Sequence, residues 1–166
     1  MWTRFSDKDF KHSEVVEPGY KFNMTHLQAA MGLVQLEKLE RFWQRRRTLL
    51  SYYDQHLRDL SLTLPPPAAA RSRHAYHLYT VLVDEARAGM SRDRLMAELH
   101  EANIGTGVHY VAQHLQPYYR DKYGWTPDDF PNARRHSRQT LPLPLGPNLA
   151  TEDLDDVIAA LRRILA

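Results

Sequence analysis

The chain has 166 residues, no cysteine and no apolar run long enough to cross a bilayer. The lack of cysteine excludes disulfide frameworks and thiolate zinc sites, and it suits a reducing cytoplasm. Residues 1–20 carry several charges and no apolar leader segment, so the sequence predicts no secretory signal. We therefore expect a cytoplasmic protein without a membrane partner.

Three motifs that mark large enzyme classes are also missing. The sequence contains no G-x-S-x-G, no G-x-x-x-x-G-K and no G-x-G-x-x-G. It therefore gives no support for a serine hydrolase, a P-loop nucleotide-binding protein or a dinucleotide-binding domain. Nine histidines raise the question of a metal, but His74 and His77 point to opposite faces of a strand and no HExxH occurs. We expect no metal site.

Lysine is scarce, with 5 Lys beside 17 Arg, and the formal net charge is only +2. So small an excess does not by itself indicate a nucleic-acid partner, because such partners need basic residues grouped on one face. Three consecutive arginines, Arg45, Arg46 and Arg47, are interpreted as the solvated face of a helix. Nucleic-acid binding through these arginines is the less favoured alternative.

The first third of the chain predicts a long helix that follows a polar arm and a turn. Residues 1–17 show no clear period, and Pro18 with Gly19 punctuates the chain. Thr25 is a candidate N-cap, with Gln28 at the position that a capping box requires. Apolar residues then recur at helical spacing as far as Leu60. The pattern predicts either one long helix or two helices with a bend near Gly32.

The remainder predicts a small sheet and several helices after a proline-rich connector at 65–73. Alternation of apolar residues on both sides predicts a central strand at 74–84. The run L-P-L-P-L at 141–145 is an edge strand at best, because proline cannot donate a ladder hydrogen bond. A further strand is predicted at 106–110, helices are predicted at 91–103, at 115–123 and from a cap at Thr151, and 130–140 is predicted to be a polar helix or a loop.

The predicted fold class is α+β, with a long helix and a small, mainly antiparallel sheet that is covered by helices. Residues 1–64 would form the arm, a loop and the long helix. Residues 65–166 would form a C-terminal α+β domain.

Two stretches carry candidate functional residues. The segment 105–119 is dense in polar and aromatic side chains at a predicted strand-to-helix junction, where ligands are often bound, although an aromatic packing corner is the alternative. The turn at Gly19 leads into a helix start with Lys21, Asn23 and Thr25 as additional donors. A phosphate could be held there, although an ordinary helix start has the same features.

Taken in order, the motifs of this chain resemble the C-terminal part of the DegT/DnrJ/EryC1/StrS family, which are pyridoxal-phosphate (PLP)-dependent sugar aminotransferases. Within that family the chain is most similar to the UDP-4-amino-4-deoxy-L-arabinose (ArnB) type. The resemblance runs from about residue 15 to the C-terminus. The motifs are P-G-Y-K-F-N-M-T at 18–25, H-x-Y-H-L-Y at 74–79, I-G-T-G-V-H-Y at 104–110, F-P-N-A at 130–133 and L-P-L at 141–143.

The resemblance implies roles for five residues. Members of the family are fold type I enzymes whose sites form between two subunits, so Lys21 and Asn23 would contact the cofactor phosphate of a partner subunit. His109, Tyr110 and His114 resemble the family motif H-Y-x-P-x-H and would bind the nucleotide-sugar substrate. No catalytic residue is assigned in this chain.

The family lysine that forms a Schiff base with PLP precedes the Gly-Tyr motif, where this chain has only Lys8 and Lys11, neither in a matching context. The resemblance therefore implies a fragment without the large PLP-binding domain, inactive alone and unable to bind PLP tightly. Its parent would exchange an amino group between glutamate and a nucleotide-linked 4-keto sugar, in the synthesis of a cell-surface polysaccharide or lipopolysaccharide. Its expected partner is a second copy or a full-length aminotransferase subunit. The alternative is a non-catalytic interaction module that dimerises through the long helix.

Overall fold

The computed structural model describes residues 18–20 and 22–166. The predicted arm and Lys21 lie outside these residues. The elements along the chain are α1 (His26–His56), β1 (Tyr79–Leu82), α2 (Glu85–Ala88), α3 (Arg92–Glu101), a 3₁₀ turn (Gln113–Leu115), α4 (Pro117–Tyr123), α5 (Pro131–Gln139), β2 (Thr140–Leu143) and α6 (Thr151–Ile164). The two strands form one antiparallel sheet. The predicted α+β class, with a small antiparallel sheet, is confirmed.

The described residues divide into two units, the first ending at Lys38 and the second comprising residues 39–166. The second unit contains the hydrophobic core, to which α1, β1, α3, β2 and α6 contribute. Its helices α3 and α6 pack against each other, while α3 also contacts β2 and α5 contacts β1. The predicted division after residue 64 concerns the domains of a longer enzyme and stays a prediction.

Helix α1 begins where the sequence predicts. The Gln28 N–H donates to Thr25 Oγ1 at 3.3 Å, and the Thr25 N–H donates to Gln28 Oε1 at 2.9 Å, which completes the capping box. The helix passes Gly32 without interruption, so the single-helix alternative is correct, but it ends at His56 and not at Leu60. No helix in the described part of the chain is long and apolar enough to cross a bilayer.

The two strands pair in a register that accommodates proline in a buried position. Tyr79 lies opposite Leu143, and Pro142 lies opposite Thr80. The Val83 N–H donates to the Gln139 carbonyl, and antiparallel pairs alternate between bonded and non-bonded, so Pro142 occupies a non-bonded position. All four residues of β2 are buried. Among the described residues β2 pairs with β1 alone, so it is a buried edge strand, as the sequence predicts, and no ladder bond towards β1 is missing.

Strand β1 has neighbours on both sides, as its apolar pattern predicts. Beyond the ladder with β2, Leu82 exchanges two 2.9 Å backbone hydrogen bonds with Thr63. The predicted length was wrong, because 74–78 is not strand. Tyr76 has a φ of 50°, its N–H donates to His74 Nδ1, and Trp43 Nε1 donates to the His74 carbonyl. These contacts hold the segment in a turn instead of an extended conformation.

Two further predictions need correction, and one short helix was not predicted. The segment 106–110 is not a strand, for reasons given with the site below. The unpredicted helix is α2, which Asp84 caps by accepting from the Ala86 and Arg87 N–H groups. Thr151 is the first residue of α6 and not its cap, because the Asp153 carboxylate accepts from the Ala150 N–H at 2.7 Å. The predicted cap at Ser91, which accepts from the Arg94 N–H, is confirmed.

A pair of tyrosines joins α1 to the sheet. Tyr53 and Tyr79 are fully buried, and their ring centroids lie 4.9 Å apart. The Tyr53 hydroxyl donates to the Pro144 carbonyl, and the Tyr79 hydroxyl donates to Asp54 Oδ1 at 2.8 Å. Burial raises the pKa of both phenols, and the Asp54 carboxylate raises the pKa of Tyr79 further. Both groups therefore resist ionisation while the chain is folded.

This pair predicts alkaline unfolding. Because the two folded-state pKa values exceed that of an unfolded tyrosine, the stabilisation is complete below about pH 10 and is lost as the pH rises further. Urea unfolding at a series of alkaline pH values should show this decline. Tyr79→Phe should make the decline shallower, while Tyr118→Phe, at a position 63% exposed, should not. Equal declines in the parent chain and in Tyr79→Phe would contradict the prediction.

Candidate active-site loop

The predicted substrate residues lie on a loop between α3 and α4, which we call the histidine loop (residues 105–116). Within the described part of the chain, residues 105–111 make no backbone-to-backbone hydrogen bond. The polar contacts of this stretch come from side chains at the junction of α5 and β2: the Thr140 hydroxyl reaches the His109 carbonyl, and Ser137 Oγ accepts from the Ala112 N–H. Without a partner strand, the segment forms no ladder, and the predicted strand at 106–110 is wrong.

The three predicted substrate residues differ in exposure. Tyr110 is 73% exposed, so its hydroxyl is free to donate to or accept from a ligand. His109 is half-buried, its ring meets Tyr110 edge to face at 4.7 Å, and its Nδ1 is buried without a hydrogen-bond partner. His114 is only 4% exposed, lies 5.1 Å from the Phe130 ring, and leaves Nε2 without a partner. In this structure the Tyr110 side chain is exposed to solvent, whereas the His114 side chain is buried and packs against Phe130.

A row of aromatic rings continues from the histidine loop, and residue-by-residue analysis of the sequence missed its outer part. From His114 the row runs through Phe130, Trp125 and Tyr123, with successive ring centroids 5.1, 5.3 and 4.7 Å apart. Tyr119 stacks on Tyr123 at the far end. The high density of aromatic residues between 118 and 130 was the available signal. Planar rings of this kind can stack on a sugar face or on a base.

The glycine turn before α1 is exposed. Tyr20 and Phe22 are 82% and 87% exposed, and Asn23 is exposed beside them. The N–H groups of Thr25 and Gln28 are already satisfied by the capping box, which leaves fewer free donors at this helix start than the sequence suggested. Lys21 lies outside the described residues. The phosphate contact by Lys21 or Asn23 stays a prediction.

Two lysines fall within the described residues, and neither has the surroundings of a Schiff-base lysine. They are Lys38, half-exposed on α1, and Lys122, whose ammonium lies 5.4 and 5.5 Å from the ring centroids of Tyr118 and Tyr123. Neither lines one of the main cavities of this part of the chain, and a Schiff-base lysine requires a desolvated pocket. No chemical step can be derived through the cofactor from these residues. Residues 18–20 and 22–166 also contain no group of three possible metal ligands.

A large open cavity of about 890 Å³ lies between α1, the proline-rich connector and β1. Its lining is mostly apolar and includes Asp54, His77 and His136, but none of the three predicted substrate residues. The cavity and the histidine loop are therefore separate features of the second unit.

Residues 3–162 match the DegT/DnrJ/EryC1/StrS aminotransferase family. The chain belongs to this family. Among curated relatives, SpsC of Bacillus subtilis, a spore coat polysaccharide biosynthesis protein, is 41% identical over 165 residues, which are 99% of this chain and 42% of SpsC.

Solved structures of similar proteins agree with the fold. Spr1654 from Streptococcus pneumoniae, solved in apo, PLP and PMP forms, is 28% identical and superposes in its PLP form with a TM-score of 0.82. The match covers 93% of this chain and 39% of Spr1654. DesI, solved in the presence of its TDP-sugar product, is 26% identical with a TM-score of 0.74, covering 86% of this chain and 36% of DesI. The chain thus has the fold of a C-terminal part of these enzymes and spans less than half of their length.

The contrast within the histidine loop generates a stability prediction. His114→Ala should lower the free energy of unfolding by about 1–3 kcal/mol, because it removes a buried ring that packs on Phe130. Tyr110→Ala should change it by no more than about 0.5 kcal/mol, because the side chain is largely in solvent. Urea unfolding of the two variants tests the difference. Equal losses would contradict the exposures described above.

Proposed function

We propose that this chain is the C-terminal part of a PLP-dependent aminotransferase that exchanges an amino group between glutamate and a nucleotide-linked 4-keto sugar. The observation that carries the proposal is the family match across residues 3–162, together with a superposable fold. The polysaccharide role of SpsC and the TDP-sugar product of DesI support a nucleotide-sugar substrate. The product would serve a cell-surface polysaccharide or lipopolysaccharide.

In this proposal the residues of this chain bind and orient the substrate, while a large domain like that of the relatives supplies the reactive lysine. PLP, when bound, provides the electron sink that transamination requires. The exposed Tyr110 and the half-buried His109 beside it would contact the sugar nucleotide, and the aromatic row would flank it. Lys21 and Asn23 would donate to the cofactor phosphate in a partner subunit. The chain alone would lack transaminase activity.

The exposed apolar surface on the first half of α1 supports the proposal that another domain or subunit packs against it. Leu27, Met31 and Leu36 are 73%, 61% and 66% exposed, and Leu33 and Val34 are exposed with them. At 100° per residue these side chains point to several sides of the helix, and a helix that is apolar all round is normally buried. A monomeric protein rarely leaves such a surface uncovered. The large domain or a partner subunit would cover it.

A chimera tests the proposed function. The C-terminal part of SpsC is replaced by this chain, joined at the aligned position, and the product is given PLP, glutamate and a panel of UDP- and TDP-linked 4-keto sugars. We expect 2-oxoglutarate to form beyond one equivalent per site only when a sugar acceptor is present, because the acceptor must take up the amino group before a second glutamate can react. Tyr110→Ala in the chimera should raise KM for the sugar about tenfold, since a contact made by an exposed hydroxyl and ring is lost.

The controls are unmodified SpsC and the isolated 166-residue chain. After PLP addition and borohydride reduction, mass spectrometry should find a cofactor–lysine adduct in SpsC and in the chimera, and none in the isolated chain. A folded, cofactor-loaded chimera that transfers no amino group, where SpsC does, would contradict the proposed function. An adduct in the isolated chain would contradict its predicted inactivity.

The exposed apolar part of α1 also favours the second candidate, an interaction module that pairs with another copy through this helix. If so, light scattering should show a dimer at micromolar concentration. Leu36→Lys should weaken the dimer at least about tenfold, because it places a charge in an apolar contact. Val111→Lys, at a position 49% exposed outside the helix, is the matched control and should not. A monomeric parent chain would contradict this candidate.

A further inference from the structure

The histidine loop is held at two points on either side of Tyr110. Ser137 Oγ accepts from the Ala112 N–H at 2.9 Å, and the Thr140 hydroxyl lies 3.5 Å from the His109 carbonyl. Residues 105–111 have no other hydrogen bond to backbone or side chain within the described chain. The path of the loop around Tyr110 therefore depends on these contacts. The bond to Ser137 is the shorter of the two.

Both anchors are rigid. Ser137 is 6% exposed and lies on α5, and Thr140 is fully buried at the start of β2. Thr140 pairs with Leu82 in the sheet, and its carbonyl accepts from Arg92 Nη1 at 2.8 Å. The Arg92 side chain is itself only 9% exposed. The junction of α5 and β2 is thus fixed by the sheet on one side and by α3 on the other.

We propose that Ser137 is a positioning residue, which fixes the histidine loop so that Tyr110 and the edge of the His109 ring face the substrate. The inference rests on the proposed function for the identity of the substrate. Ser137 itself touches no substrate, because its hydroxyl is buried beneath the loop. Its hydroxyl oxygen is used as an acceptor for a backbone N–H that has no partner in a helix or strand. Such a bond fixes the position of a loop relative to the helix that carries the acceptor.

The bond also explains why a small polar residue is useful at this buried site. A buried amide that loses its acceptor is left unsatisfied, which is more costly than a missing bond at the surface. Alanine at position 137 would keep the helix and remove only the acceptor. Threonine would keep the acceptor.

The test uses NMR on the isotope-labelled 166-residue chain and needs neither cofactor nor substrate, so it is independent of the chimera assay. Ser137→Ala should accelerate hydrogen exchange of the Ala112 amide about five- to tenfold relative to the Val81 amide in the sheet, which corresponds to the loss of one hydrogen bond. The nuclear Overhauser contacts between the His109 and Tyr110 rings should weaken in the same variant. Ser137→Thr should restore both signals.

Ser91→Ala is the matched control, because it removes another serine acceptor of a backbone N–H, at the cap of α3 and away from the loop. It should lower stability while leaving the Ala112 exchange ratio and the ring contacts unchanged. Parent-like values in Ser137→Ala, or equal changes in Ser91→Ala, would overturn the positioning role. Failure of sugar transfer in the chimera would instead count against the proposed function.

Discussion

The antiparallel pairing of β1 with β2 is the constraint on which the second unit depends. It joins residues that are about 60 positions apart, with Tyr79 opposite Leu143 and Leu82 opposite Thr140. The pairing accommodates a proline, because Pro142 occupies a non-bonded position of the ladder with β1. A shift by one residue would place Pro142 at a bonded position and turn the apolar side chains to the other face. The ladder also sets the place of the histidine loop, since Thr140 belongs to it and Ser137 stands one helical turn before it.

Helix α1 shows that one sequence pattern can serve two environments. Its apolar residues recur at helical spacing along its whole length, yet only the later part is anchored in the core, where Leu49 and Tyr53 are buried. Arg45 also departs from the predicted solvated face, because its guanidinium donates to the Leu149 carbonyl at 2.6 Å. The first half exposes Leu27, Met31, Leu33 and Leu36 and has no cover within the described chain. The chain matches 42% of the length of SpsC, and an exposed apolar surface of this size usually marks an interaction site.

Two of the local cap signals, at Thr25 and Ser91, were interpreted correctly, whereas the cap of α6 and the short helix α2 capped by Asp84 were not. The caps at Thr25 and Ser91 depend on residues three positions away, so their chemistry is visible in the sequence. The turn at 74–78 depends on Trp43, and the absence of a strand at 106–110 depends on Ser137 and Thr140, both far along the chain. Interactions between residues close in sequence follow local propensity, whereas contacts between distant residues depend on which surfaces of the fold meet.

The same division applies to the candidate site. Motif resemblance found His109, Tyr110 and His114, but it could not separate the exposed Tyr110 from the buried His114, because burial is set by Phe130 and the fold around it. The aromatic row was missed for a similar reason, since its rings come together only when α4 and the start of α5 are placed.

Two buried ring nitrogens in the histidine loop constrain how the loop can work. His109 Nδ1 and His114 Nε2 have no protein partner in the described chain, and an unsatisfied buried polar atom costs about 1–3 kcal/mol. A loop that carries this cost, and that is tied to the fold by few hydrogen bonds, gains stability whenever water, a ligand or another subunit supplies the missing partners. The bond from the Ala112 N–H to Ser137 Oγ involves neither ring, so partners for the two ring nitrogens leave this support of the loop in place.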